Sequence, residues 1–79
     1  MSVKLGIYQH YKGNLYQVLS VARHSEDLSK YVVYQALYGD YSIWIRPYLM
    51  FIEKVNVDGK EQPRFAFKHS NKDSFLQLD

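Results

Sequence analysis

Three turn signals, Gly13-Asn14, Gly39-Asp40 and Asp58-Gly59, together with a polar connection at residues 25–30, divide this chain into short β-favouring runs. Each run is rich in Val, Ile, Tyr and Phe, and several alternate in the period-two manner of a strand. Residues 6–11 read as a first strand and residues 15–24 as a long second one. Residues 31–37, 42–46, 51–57 and 64–67 read as the rest. The stretch Ser42-Ile43-Trp44-Ile45-Arg46-Pro47-Tyr48-Leu49-Met50-Phe51 organises the whole. It carries the single tryptophan, and Pro47 must end its strand because proline has no N–H for the ladder. Tyr48-Leu49-Met50 then fits one short helical turn.

Two details of the pattern bear on architecture. The second strand is apolar on both faces, with Leu15, Leu19 and Val21 on one and Tyr16, Val18 and Ala22 on the other. A strand of that kind bends and serves two surfaces. The register of the first hairpin stays open. A three-residue loop pairs Tyr8 with Val18 and His10 with Tyr16, whereas a two-residue loop pairs Tyr11 with Tyr16. For the hairpin at Gly39-Asp40, a two-residue turn pairs Ala36 with Ile43 and Tyr34 with Ile45. That places Val32, Tyr34, Ala36, Ile43 and Ile45 in the core and leaves Gln35, Trp44 and Arg46 on the other face.

Seventy-nine residues make one domain, and a core this small depends on efficient burial. There is no cysteine, which excludes disulfides and thiolate metal sites. Eight tyrosines and four phenylalanines supply the large apolar areas instead. Ten basic against eight acidic residues give a net charge of +2, too little to imply nucleic acid without a concentrated patch. The longest strictly apolar run, residues 49–52, is far short of a membrane span. Met1-Ser2-Val3-Lys4-Leu5 lacks the layout of a signal peptide. A cytoplasmic protein with no membrane association is therefore expected.

Five or six strands, tight turns and one helical turn predict an all-β fold, a small SH3-like barrel over residues 1–67 with a polar C-terminal tail over 68–79. An OB-like barrel fits less well, because no segment supplies its longer helix. The motif series Gly6-x-Tyr8-x-His10-Tyr11-Lys12-Gly13, Tyr16-x-Val18, Ala22-Arg23-His24-Ser25-Glu26, Val33-Tyr34, Leu37-Tyr38-Gly39, Trp44-x-Arg46-Pro47-x-x-Met50-Phe51 and Val57-Asp58-Gly59 resembles the small bacterial domain of unknown function 1653. The match runs in order from Gly6 to Phe65. The resemblance implies an SH3-like β fold and a bacterial cytoplasmic setting, and it brings no reaction with it.

The residues that carry chemistry form two sets. Tyr11, Lys12, Tyr16, Trp44 and Arg46 compose an aromatic-basic face. An arginine two residues from an indole shares its side of the strand and makes a stacking platform. The bland alternative is a Trp44 held in the core and tyrosines that are ordinary strand residues. His10, His24 and Glu26 compose the other set, with imidazole and carboxylate groups suited to a metal or a small polar ligand. A straight strand from Tyr16 to His24 spans roughly 26 Å, so these would meet only if it bent sharply. The bland alternative is that each histidine binds a neighbouring backbone or carboxylate group at a strand end.

His24, Ser25 and Asp27 contain the side chains of a hydrolytic triad, but they lie adjacent in one loop with no oxyanion hole. No glycine-rich phosphate loop or HExxH-type motif is present, so the pattern points away from catalysis and implies no cofactor. The expected function is a binding module for a protein segment or single-stranded nucleic acid. A structural role through edge-strand dimerisation is the other class that fits.

Overall fold

The computed structural model describes residues 3–70. They form β1 (Gly6–His10), β2 (Leu15–Arg23), β3 (Lys30–Ala36), β4 (Ile43–Pro47), α1 (Tyr48–Phe51), β5 (Lys54–Val57), β6 (Lys60–Pro63) and β7 (Phe65–Ser70). Five strands make one antiparallel sheet in the order β4-β3-β2-β1-β7, and β5 with β6 makes a separate hairpin. The class is all-β, with a curved, open, barrel-like sheet and one more strand than the sequence suggested.

The first hairpin takes neither of the two registers considered. Tyr8 faces Tyr16 and Gln9 faces Leu15, and the His10 N–H donates to the Asn14 carbonyl at 2.8 Å. The loop is therefore Tyr11-Lys12-Gly13, one residue earlier than the Gly-Asn signal implied. Gly13 takes a φ of +111°, which side chains rarely allow. The bend in β2 is present: the pairing with β3 slips between Val18 and Ser20, so Leu19 is an extra residue in the ladder.

The β3–β4 hairpin corrects the expected register by one residue. Gln35 faces Ile43, Tyr34 faces Trp44 and Val32 faces Arg46. The connection is longer than two residues, because Ala36 N–H donates to the Ser42 carbonyl at 2.9 Å and closes a loop over residues 37–41. Asp40 fixes that loop by accepting from both the N–H and the hydroxyl of Ser42, while Tyr41 sits at a φ of +58°. A slip of one residue exchanges the two faces of a strand. Ile43 and Ile45, expected in the core, are accordingly 59% and 62% exposed. Trp44 and Arg46 share the face of Tyr34.

The core is Tyr8, Val18, Val32, Tyr34, Ala36, Phe51 and Phe65. Pro47 ends β4 as expected, and the single turn of α1 drops Phe51 inward until it is almost fully covered. Burial of Val18, Val32 and Phe51 stabilises the fold by about 1.5–3 kcal/mol each. Phe51 lies flat on Phe65, and the edges of Tyr8 and Tyr34 abut it at 5.5 Å.

Pro63 does not break the chain. It closes β6, opposite Lys54, in a hairpin whose turn is Asp58-Gly59. β7 continues through Lys68, His69 and Ser70, residues that the sequence reading placed in the polar tail. Residues 71–79 lie outside the described residues, and with them the short apolar run Phe75-Leu76-Gln77-Leu78. Among the described residues, no helix is long and apolar enough to cross a membrane.

Candidate functional site

The register that corrects the core also builds the site. Trp44 stands opposite Tyr34 on the core face but beyond the packed centre, and it keeps 55% of its surface exposed. Arg46, two residues along, is half-buried. Its Nε–H donates to the Tyr34 hydroxyl at 3.3 Å, and its guanidinium carbon lies 5.6 Å from the centre of the Phe65 ring. Among the described residues it has no carboxylate within ion-pairing distance.

Tyr16 rises beside them from β2. Its hydroxyl shares a 2.7 Å hydrogen bond with that of Tyr38, and its ring meets Tyr34, Tyr38 and Phe65 edge-on at 5.5–5.6 Å. Tyr16, Tyr34, Tyr38, Trp44 and Arg46 enclose a concavity of about 240 Å³. Burial, the bond to Tyr38 and the neighbouring phenols push the Tyr16 hydroxyl up to about 12, with Arg46 opposing. It therefore stays protonated at neutral pH and serves as a hydrogen-bonding group rather than a base. The concavity offers aromatic faces, phenolic hydroxyls and one guanidinium, which suits recognition of a planar or anionic group.

Tyr11 and Lys12 lie on the far side of His10. The imidazole stands 4.6 Å from the Tyr11 ring, 6.3 Å from Tyr16 and 5.0 Å from Phe65, and the Lys12 ammonium lies 5.8 Å from the Tyr11 centroid. Ring and cation contacts thus connect Tyr11 and Lys12 through His10 to Tyr16, which lines the concavity with Trp44 and Arg46. Sequence reasoning missed Tyr34 and Tyr38 as lining. The signal for Tyr34 was its parity with Trp44, which only the correct register gives.

The structure does not bring His10, His24 and Glu26 together. His10 precedes the loop at one end of β2, and His24 follows the last residue at the other. Each does the same local work: its Nδ1 accepts the backbone N–H two residues on, from Lys12 in one case and Glu26 in the other, both at 3.1 Å. That fixes the loop and leaves the proton of the neutral ring on Nε2. Asp27 adds to the second loop by accepting from the N–H and hydroxyl of Ser29, bonds that hold its carboxyl below the usual range. No group of three His, Asp or Glu side chains among the described residues is placed to hold a metal ion.

A search of curated proteins finds no match for this chain. Among solved structures it is similar to a Bordetella bronchiseptica protein of the family DUF1653, at 34% identity and a TM-score of 0.80, covering 87% of this chain and 91% of that one. The model of that family, described as a protein of unknown function, matches residues 6–67. The match takes in every strand but the last residues of β7, and with them the concavity and the loop beside it, so the chain belongs to the DUF1653 family.

Proposed function

We propose that this domain is a non-enzymatic binding module of the bacterial cytoplasm whose aromatic-basic face takes single-stranded nucleic acid. One observation carries the reading: a half-exposed indole and a guanidinium without a carboxylate partner among the described residues share one concavity. A base stacks on Trp44 and a backbone phosphate meets Arg46, and such stacking is worth about 1–3 kcal/mol per base. The tyrosine hydroxyls donate to whatever edge the base presents. An extended acidic protein segment presents some of the same groups and is the competing ligand.

The test is a titration with short single-stranded RNA and DNA at low salt. Trp44 is the only tryptophan, so its fluorescence reports the contact directly. Quenching that saturates, and that weakens in Arg46→Gln, supports the reading. An unchanged spectrum with every oligonucleotide removes the nucleic-acid branch in favour of peptide.

A second reading, weak self-association, is favoured by β4. It is an edge strand, and the ladder alternation set by the Ala36–Ser42 bond turns the N–H and C=O groups of Ile43 and Ile45 away from β3. Their side chains are also exposed, and an uncovered apolar edge invites strand pairing. Sedimentation at two concentrations, with Ile45→Lys as the blocked form, decides it.

A further inference from the structure

Positive charge on this face does not stop at Arg46. The Phe65 ring that carries the Arg46 guanidinium at 5.6 Å also lies 5.0 Å from the His10 imidazole. Arg64 is held at the same corner, because its carbonyl accepts from the Tyr11 N–H at 2.9 Å and its N–H donates to the Glu53 carbonyl at 3.1 Å. Lys12 is tied in by its N–H bond to His10. The Arg46 guanidinium from β4 and the backbones of Lys12 in the first loop and Arg64 in the link between β6 and β7 thus meet at the corner that holds His10.

The other groups around His10 are Tyr11 from the loop, Tyr16 from β2 and Phe65 from β7. The only ion-paired carboxylate among the described residues of this corner is Glu53, which meets one nitrogen of Arg64 at 3.2 Å. Arg64 Nε is buried and has no hydrogen-bond partner among the described residues. Burial first, and then Arg64, Arg46 and Lys12, lower the His10 pKa, in keeping with the basic residues at this corner. Three of the ten basic residues belong to this corner, one of them paired with Glu53, and a bound anion offsets the repulsion among them.

We propose that His10, Arg46 and Arg64, with Lys12 at the rim, form a subsite for a phosphate-class anion beside the aromatic concavity. The inference rests on the reading of this face as the ligand surface, but not on the ligand being a nucleic acid. Guanidinium groups present paired donors that match phosphate oxygens, and the neutral imidazole adds its Nε2–H. The phosphate belongs to a nucleic-acid backbone or to a free oligophosphate.

Two measurements test this and separate the sources. The first follows the His10 ring by NMR through a pH titration, with and without inorganic pyrophosphate, using His24 as the internal control. The expected result is a saturable rise in the His10 pKa, absent at His24, that weakens several-fold in Arg64→Gln and is largely restored in Arg64→Lys. Melting curves confirm that both variants are folded. The second measures the salt dependence of binding to a short single-stranded RNA. The slope of log K against log salt should fall by about 0.7 in Arg64→Gln, the value for one phosphate contact on a single strand. Trp44→Ala should weaken binding and leave the slope alone. A pyrophosphate effect without RNA binding keeps the subsite, assigns it to a free oligophosphate and removes the nucleic-acid function. RNA binding with an unchanged slope, and a His10 pKa indifferent to pyrophosphate, overturns the subsite and leaves the nucleic-acid function standing.

Discussion

The rings of Phe51 and Phe65 lie face to face, 4.3 Å between centres and 6° from parallel. They stand just outside the two ends of the β5–β6 hairpin, and between them Glu53 and Arg64 close its base through a backbone bond and an ion pair. One aromatic stack thus fills the core and anchors the excursion that delivers Arg64 beside His10. Phe51→Ala should destabilise the domain by about 3–5 kcal/mol, much of what a chain this small has to lose. Urea denaturation followed by circular dichroism measures it, and Phe51→Leu should recover most of the loss.

Trp44→Ala should separate stability from binding. The indole is more than half exposed, so its removal should change unfolding free energy by no more than about 0.5 kcal/mol. Oligonucleotide affinity should fall by about 1–3 kcal/mol, the worth of one stacked base. Fluorescence anisotropy with a labelled oligonucleotide gives the second quantity and thermal melting the first.

Stability should respond to pH in two windows. The folded state lowers the His10 pKa, so its contribution is complete above the unfolded value of about 6.5 and is lost as pH falls from there toward the folded value. His10→Gln should flatten that part of the profile. Asp27 and Asp40 are also lowered, each by bonds from the serine two residues on. Their contribution is complete above about 3.9 and is lost as pH falls through their folded values. Melting temperature against pH, with Asp27→Asn and Asp40→Asn as controls, resolves the two.

Gly13→Ala should strain the first loop rather than crowd it, since nothing lies within 4 Å of the position a Cβ would take. A φ of +111° is costly for alanine, by about 1–3 kcal/mol for such sparsely populated backbone. The Tyr11-Lys12 segment should shift with it. A chemical-shift map should show changes gathered at residues 9–15 and at the His10 ring.

Local chemistry was legible in the sequence, and pairing was not. The turns, the bend in β2, the stop at Pro47 and the helical turn after it follow from glycine, proline and alternation, which act over a few residues. Val32, Tyr34 and Ala36 were placed in the core correctly. Ile43 and Ile45 were placed there wrongly, because Gly39-Asp40 signals a turn without saying that Asp40 and Ser42 extend it. β6 went unread, since its Lys-Glu-Gln-Pro has no apolar alternation and pairs only with β5. At the site, Tyr16, Trp44 and Arg46 stood out by type. Tyr34, Tyr38 and Arg64 reach it only through strand order and loop shape, which no short-range pattern encodes.

The segment from Leu37 to Tyr41 works as a counter. With one residue fewer or one more, β4 would keep its composition and its partner yet present its isoleucines inward and turn the indole to the opposite side. Changes of length in that segment invert the arrangement. Relatives can therefore be sorted by that spacing before any ligand is tried, and those that depart from it should not share whatever this face recognises.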